Sequence, residues 1–286
     1  MENGSESDHD QDFGTRAIHA GQSPTQWPHG AVIPPVCLST TFYQPAPAEP
    51  LLGYDYSRSG NPTRTCLETC LASLEKAKYG KNFPPRKFTS YNPGSNGFCF
   101  LALTFSSGLA TTMTIVQGLL STGQEIVSCD DCYGGTGRYF RKCISQLGIE
   151  TIFVDGREVD NFVSAVKKGV TKMIWIETPT NPTLRLSDIE GVVKGVRSID
   201  KDIVVVVDNT FMSSYLQQPL SFGADIVIHS LTKYMNGHTD VVMGAMMTNN
   251  REIYEQLKFM QKCGYTLRII FIFSSTQNNY HFVNYL

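Results

Sequence analysis

At 286 residues, with 41% hydrophobic and 17% charged side chains, the chain can bury a sizeable core as one large domain or one and a half ordinary ones. A net charge of −2 supplies no basic field, so nucleic acid is excluded as a partner. No apolar run reaches bilayer length, and the polar start lacks a signal-peptide pattern. A cytoplasmic protein without membrane contact is expected.

Residues 1–15 are expected to be disordered, and 16–62, rich in Pro, Gly, Ser and Thr, to form an extended N-terminal arm. A helix is predicted over 64–78, with Leu67, Leu71 and Leu74 on one face and Pro62 ahead of its start. The stretch 81–102 carries prolines and aromatics without periodicity, which is unusual inside a compact domain. Strand–helix pairs follow at 103–105 with 109–120, 125–129 with 139–147, 151–154 with 159–168, and 172–176 with 189–197. Further apolar strands are predicted at 203–207 and 225–228, while 264–286 is β-prone without a helical stripe. This alternation predicts an α/β fold with a mostly parallel sheet and helices on both faces. Ligands then belong outside the carboxyl ends of the strands. The eight cysteines are scattered, and Cys129 and Cys132 lack partners at metal-ligand spacing, so reduced thiols and no metal are expected.

Five motifs stand at those strand ends or close behind them. Ser107-Gly108-Leu109 opens a helix, and its first N–H groups suit a phosphate, although a plain Ser107 N-cap explains the same residues. Tyr133, followed by Gly134 and Gly135, could lie flat on a planar ligand or simply occupy a turn. Asn181, between Pro179 and Pro182, offers a stiffly held amide to a ring oxygen, or belongs to a braced loop with no ligand. Asp208 ends one apolar strand and Lys233 follows another. A lysine just past a buried strand loses its proton cheaply and can form a Schiff base. An aspartate at a neighbouring tip can hold a pyridinium nitrogen. Together they are what pyridoxal 5'-phosphate (PLP) requires of a protein.

The stretches 56–63, 107–110, 131–136, 177–182, 207–212 and 230–238 together resemble the signatures of the Cys/Met-metabolism PLP-dependent enzymes. The similarity runs from about residue 15 to 262 and is strongest to the cystathionine-cleaving branch. It implies the large domain of a PLP-dependent transferase of aspartate-aminotransferase type (fold type I). It also implies roles. Lys233 carries the cofactor and moves protons, Asp208 keeps the ring nitrogen charged, and Tyr133 stacks and assists proton transfer. Ser107, Gly108, Leu109, Thr210, Ser230 and Thr232 surround the cofactor, mostly at its phosphate, and Asn181 approaches the ring oxygen. Tyr56 and Arg58 reach the phosphate of a neighbouring subunit, so a homo-oligomer, dimer or tetramer, is implied. Arg138 lies near a sulfur amino-acid substrate, or alternatively pairs with an acidic side chain.

The resemblance divides the chain into an arm at 1–62 and a PLP-binding domain at 63–262 with an atypical insertion at 81–102. Members of the family continue into a C-terminal domain, which 263–286 does not resemble, so that domain is expected to be absent. Both departures have the pattern of translated intron or alternative splicing. Two functions are implied. One is a lyase cleaving L-cystathionine to L-cysteine, 2-oxobutanoate and ammonia, or a synthase, β-lyase or methionine γ-lyase of the same family. The other is a weakly active or inactive PLP-binding subunit that pairs with full-length protein.

Overall fold

The computed structural model describes residues 12–77 and 101–265. The expectations for 1–11, for most of 81–102 and for 266–286 therefore lie outside the described residues. The first element is a helix, α1 (Phe13–His19), so the disordered start does not extend to residue 15. It packs on α2 (Pro62–Leu74) through Ala17, Cys70 and Leu74. The Asn61 side chain accepts from the Thr63 and Arg64 N–H groups, and Pro62 occupies the first position, where no donor is lost. That cap places α2 two residues earlier than predicted.

The remaining elements are β1 (Ala102–Phe105), α3 (Gly108–Leu119), β2 (Glu125–Cys129), α4 (Gly134–Lys142), β3 (Glu150–Val154), α5 (Val159–Ala165), β4 (Thr171–Glu177) and α6 (Ile189–Ile199). Then come β5 (Val204–Asp208), α7 (Ser213–Leu216), β6 (Ile226–Ser230), β7 (Gly244–Thr248) and α8 (Arg251–Met260). Leu101 and Ala102 are buried and belong with β1, so the atypical stretch ends earlier than residue 102. The predicted helix at 139–147 is α4 followed by a separate 3-10 turn, Ile144–Leu147.

The seven strands form one sheet in the order β1-β7-β6-β5-β4-β2-β3, parallel except for β7, which runs antiparallel to β6 and β1. Strand periodicity divides the core between two faces. Met173, Trp175 and Val206 point to one face, where Phe140 meets the Trp175 ring edge-on at 5.3 Å. Ile174, Ile176, Val205 and Val207 point to the other, under α6. Because β1, β2, β4, β5 and β6 all run the same way, the chain leaves them along one edge of the sheet. All five motifs therefore cluster along that edge.

β7 and α8 were not anticipated. β7 reads Gly-Ala-Met-Met-Thr, poor in β-branched residues, and it is a strand because β1 and β6 supply both hydrogen-bonding edges.

Candidate active site

The centre of this edge is the tip of β5. Asp208 accepts from the Thr210 hydroxyl at 2.6 Å and its N–H at 3.0 Å, both at Oδ1. Thr210 Oγ1 in turn accepts from the Ser230 N–H at 2.9 Å, tying the β5 tip to the β6 tip. Oδ2 of Asp208 has no hydrogen-bond partner among the described residues. Burial pushes the Asp208 carboxyl up, against the Thr210 hydrogen bonds and the charge of His229 that pull it down.

Glu177 ends β4 directly beside Asp208 in the strand register. Its Oε2 accepts from the Tyr133 N–H at 2.8 Å and its Oε1 from the Asn181 N–H at 3.0 Å. Burial, and then the negative charge of Asp208, push its pKa up to about 8, while the two backbone donors pull it back. Sequence reasoning gave Glu177 no role. The available signal was an acid closing an otherwise apolar strand.

The N-terminus of α3 stands against the β6 tip. A Cβ on Gly108 would lie 3.1 Å from Ser230 Cβ, and one on Gly244 would lie 2.3 Å from the Ser107 carbonyl oxygen. Small residues thus let three backbone segments close into a cradle. Ser107 Oγ accepts from the Ala110 N–H at 3.0 Å, so its hydroxyl is the helix cap. The Gly108 and Leu109 N–H groups, in the first turn, have no intrahelical acceptor. Thr232 Oγ1 is engaged by the Met243 backbone at 3.1 and 3.3 Å, whereas the Ser230 hydroxyl has no partner among the described residues.

Lys233 is exposed, in the irregular connection between β6 and β7, while Leu231 and Met235 on either side are buried. Desolvation of the amine, expected from its place after a buried strand, is therefore not seen. The chain has left the strand and put its apolar neighbours inward instead. Tyr133 is 51% exposed and its ring folds over Gly135, where a Cβ would stand 2.5 Å away. The Asn181 side chain makes no hydrogen bond among the described residues; only its backbone is held. Arg138 is exposed on α4 without an ion pair among the described residues.

Tyr56 and Arg58 are not brought to the cradle by any described contact. Both are exposed, with the Arg58 guanidinium 5.3 Å above the Tyr56 ring. Their backbone is fixed by Arg64, which donates to the Ser57 and Arg58 carbonyls at 3.0 and 3.2 Å. A further buried group was missed entirely. His229 Nε2 lies 2.5 Å from Glu75 Oε1, and Asn209 donates to the same oxygen at 3.2 Å. Glu75 Oε2 is buried with no partner.

This edge offers an open carboxylate oxygen, an unpaired amine, an unpaired amide and a cradle with free N–H groups. Such a set fits a planar cationic ring that bears an aldehyde and a phosphate. The sequence profile of the Cys/Met metabolism PLP-dependent enzymes matches residues 14–85 and 99–274, and the chain belongs to that family. The cofactor of the family is PLP. Cystathionine gamma-lyase from Homo sapiens is 48% identical over 253 residues, covering 88% of this chain and 56% of the human protein. Its counterpart from Saccharomyces cerevisiae is 47% identical over 251 residues, covering 87% and 57%. Among solved structures, metB from Corynebacterium glutamicum superposes with a TM-score of 0.78 at 41% identity, covering 90% of this chain and 60% of that one. Cystathionine gamma-lyase from yeast gives 0.75 at 45%, covering 88% and 58%. The chain thus spans little more than half the length of these relatives. Among the described residues, no helix is long and apolar enough to cross a membrane.

Proposed function

We propose that this chain is a cytoplasmic PLP-binding subunit of the Cys/Met class that completes its sites together with a second subunit. The observation that carries this reading is the contrast along the chain. The groups that PLP requires gather on one sheet edge, while Tyr56 and Arg58 are exposed and, among the described residues, make no contact with that edge. Residues 63–262 are the PLP-binding domain in this reading, and 1–62 the arm that reaches a neighbouring copy in a dimer or tetramer.

When bound, PLP supplies an electron sink for bonds at the substrate's α carbon. Lys233 would provide the amine that holds the aldehyde and would move protons at the substrate. Asp208, with Oδ1 held by Thr210, would use its open Oδ2 to keep the ring nitrogen charged. Gly108 and Leu109 N–H groups and the Ser230 hydroxyl take the phosphate; Ser107, Thr210 and Thr232 hold the cradle in shape. Tyr133 would stack on the ring and Asn181 would approach its oxygen. Arg138 faces the substrate, a sulfur amino acid.

The second reading is a self-sufficient lyase that cleaves L-cystathionine to L-cysteine, 2-oxobutanoate and ammonia. The names of the 47–48% identical relatives favour it. Cystathionine γ-synthase, cystathionine β-lyase and methionine γ-lyase activities use the same core.

The test is the visible absorption of the purified chain with PLP, beside Lys233→Ala. A band present in the parent and lost in the variant is expected; no band in the parent sinks the cofactor reading. Cystathionine turnover is then measured alone and after mixing with a full-length relative. Weak turnover alone that rises on mixing is expected for the shared-site subunit. Full turnover by the unmixed chain selects the lyase reading instead.

A further inference from the structure

Two loops carry the groups that bracket a cofactor ring, and each is tied to the other by a carboxylate. The loop after β2 holds Tyr133, and the loop after β4 holds Asn181. Glu177, 5% exposed at the end of β4, accepts from both the Tyr133 N–H and the Asn181 N–H. In the opposite sense Asp131, beside Tyr133, accepts from the Thr180 hydroxyl at 2.6 Å and from the Thr183 N–H at 3.3 Å, with the Thr183 hydroxyl a further donor. The two loops are interlocked by reciprocal carboxylates. Hydrogen bonds to an ionised carboxylate are about twice as strong as neutral ones, and burial beside Asp208 leaves Glu177 ionised only above about pH 8.

We propose that Glu177 is a positioning residue whose two carboxylate oxygens, one on the Tyr133 N–H and one on the Asn181 N–H, set the spacing between the aromatic ring and the amide that bracket the cofactor. This rests on the reading of the edge as a PLP site. Glu177 touches neither ring nor substrate in this role; it acts through the backbone of the two residues that do. A strand-tip carboxylate is suited to the task because β4 is anchored on both sides, by β2 and β5. Neither loop has such an anchor of its own. An amide at the same place has one acceptor oxygen, and its NH2 would confront the second N–H donor. Glu177→Gln therefore releases one loop while changing shape very little.

The experiment uses the full chain with PLP as the probe, above about pH 8 where Glu177 is ionised. Affinity is followed by absorption, and ring geometry by the induced circular dichroism of the bound cofactor. In Glu177→Gln, PLP affinity is expected to fall about tenfold, the scale of one lost charged hydrogen bond. The induced signal should change with it. Combined with Asn181→Ala, the two losses should fall short of multiplying, because they act on one contact. Affinity and induced signal within about twofold of the parent, or losses that multiply in the double variant, would overturn the proposal. If Glu177→Gln does not fold, Asp131→Asn replaces it, loosening the Asn181 loop from its exposed side with the same expected loss and the same overturning result. A parent chain that shows no PLP band defeats the cofactor reading and this inference with it. A parent band with an unaltered variant defeats this inference alone.

Discussion

At the tips of β4, β5 and β6, most carboxylates and hydroxyls are held by the backbone of a neighbouring strand or loop. In the segment that carries Tyr56 and Arg58 it is the backbone that is held, by Arg64 from α2, and the side chains of Tyr56 and Arg58 are left outward. The first region encloses its polar groups and so defines a geometry within one chain. The second presents two groups to something outside that chain. The difference separates the part of the site that this fold builds unaided from the part that needs a partner.

The largest effect is expected where enclosure is deepest. His229→Ala leaves the Glu75 carboxylate buried with one oxygen already unpartnered. Leaving a buried carboxyl oxygen without a partner costs about 1–3 kcal/mol. Urea unfolding of the variant checks this, and a loss under about 1 kcal/mol would show that the strand tips are not the rigid region.

A second expectation concerns pH. Glu177 has an unfolded value near the ordinary 4.5 and a folded value of about 8, raised by burial and by Asp208. Between those limits the folded chain holds a proton that the unfolded chain has released. Stability therefore falls as pH rises from about 4.5 to about 8. Glu177→Gln should remove that part of the slope. Chemical unfolding of parent and variant across this window is the measurement, and identical slopes would mean Glu177 is not held out of its usual range.

The smallest effect belongs to the arm. Arg58→Ala should change the stability of the isolated chain by no more than about 0.5 kcal/mol, as for other exposed positions without buried partners. It should nevertheless weaken PLP retention in mixed oligomers with a full-length relative. A destabilisation beyond about 1 kcal/mol would place Arg58 among the enclosed groups and erase the contrast between the regions.

Much of this architecture was legible in the chain. Val and Ile runs such as Val204–Asp208, alternating with amphipathic stretches such as Ile189–Ile199, announce parallel strands and covering helices, because each side-chain period matches one element. Motifs placed after such strands then fall on one edge by topology alone. The cradle at Ser107 and Gly108, the acid at Asp208 and the amine at Lys233 were all marked this way. Other features were not legible because their partners are far apart in sequence. β7 is a strand through its neighbours on both sides. Glu75 and His229 stand 154 residues apart. Glu177 holds Tyr133 from 44 residues away.

The sequence by itself determined the order of the elements from α2 to β6, the family and the identity of the groups offered to the cofactor, since these depend on local periodicity and on residue types at strand ends. Only the tertiary structure decided which of those groups are free and which are already spoken for. It capped α3 with Ser107, bound Thr232 to Met243, left Lys233 exposed and set Glu177 between two loops. A hydrogen-bond partner and a desolvated position are properties of neighbours in space, and the fold alone brings those neighbours together.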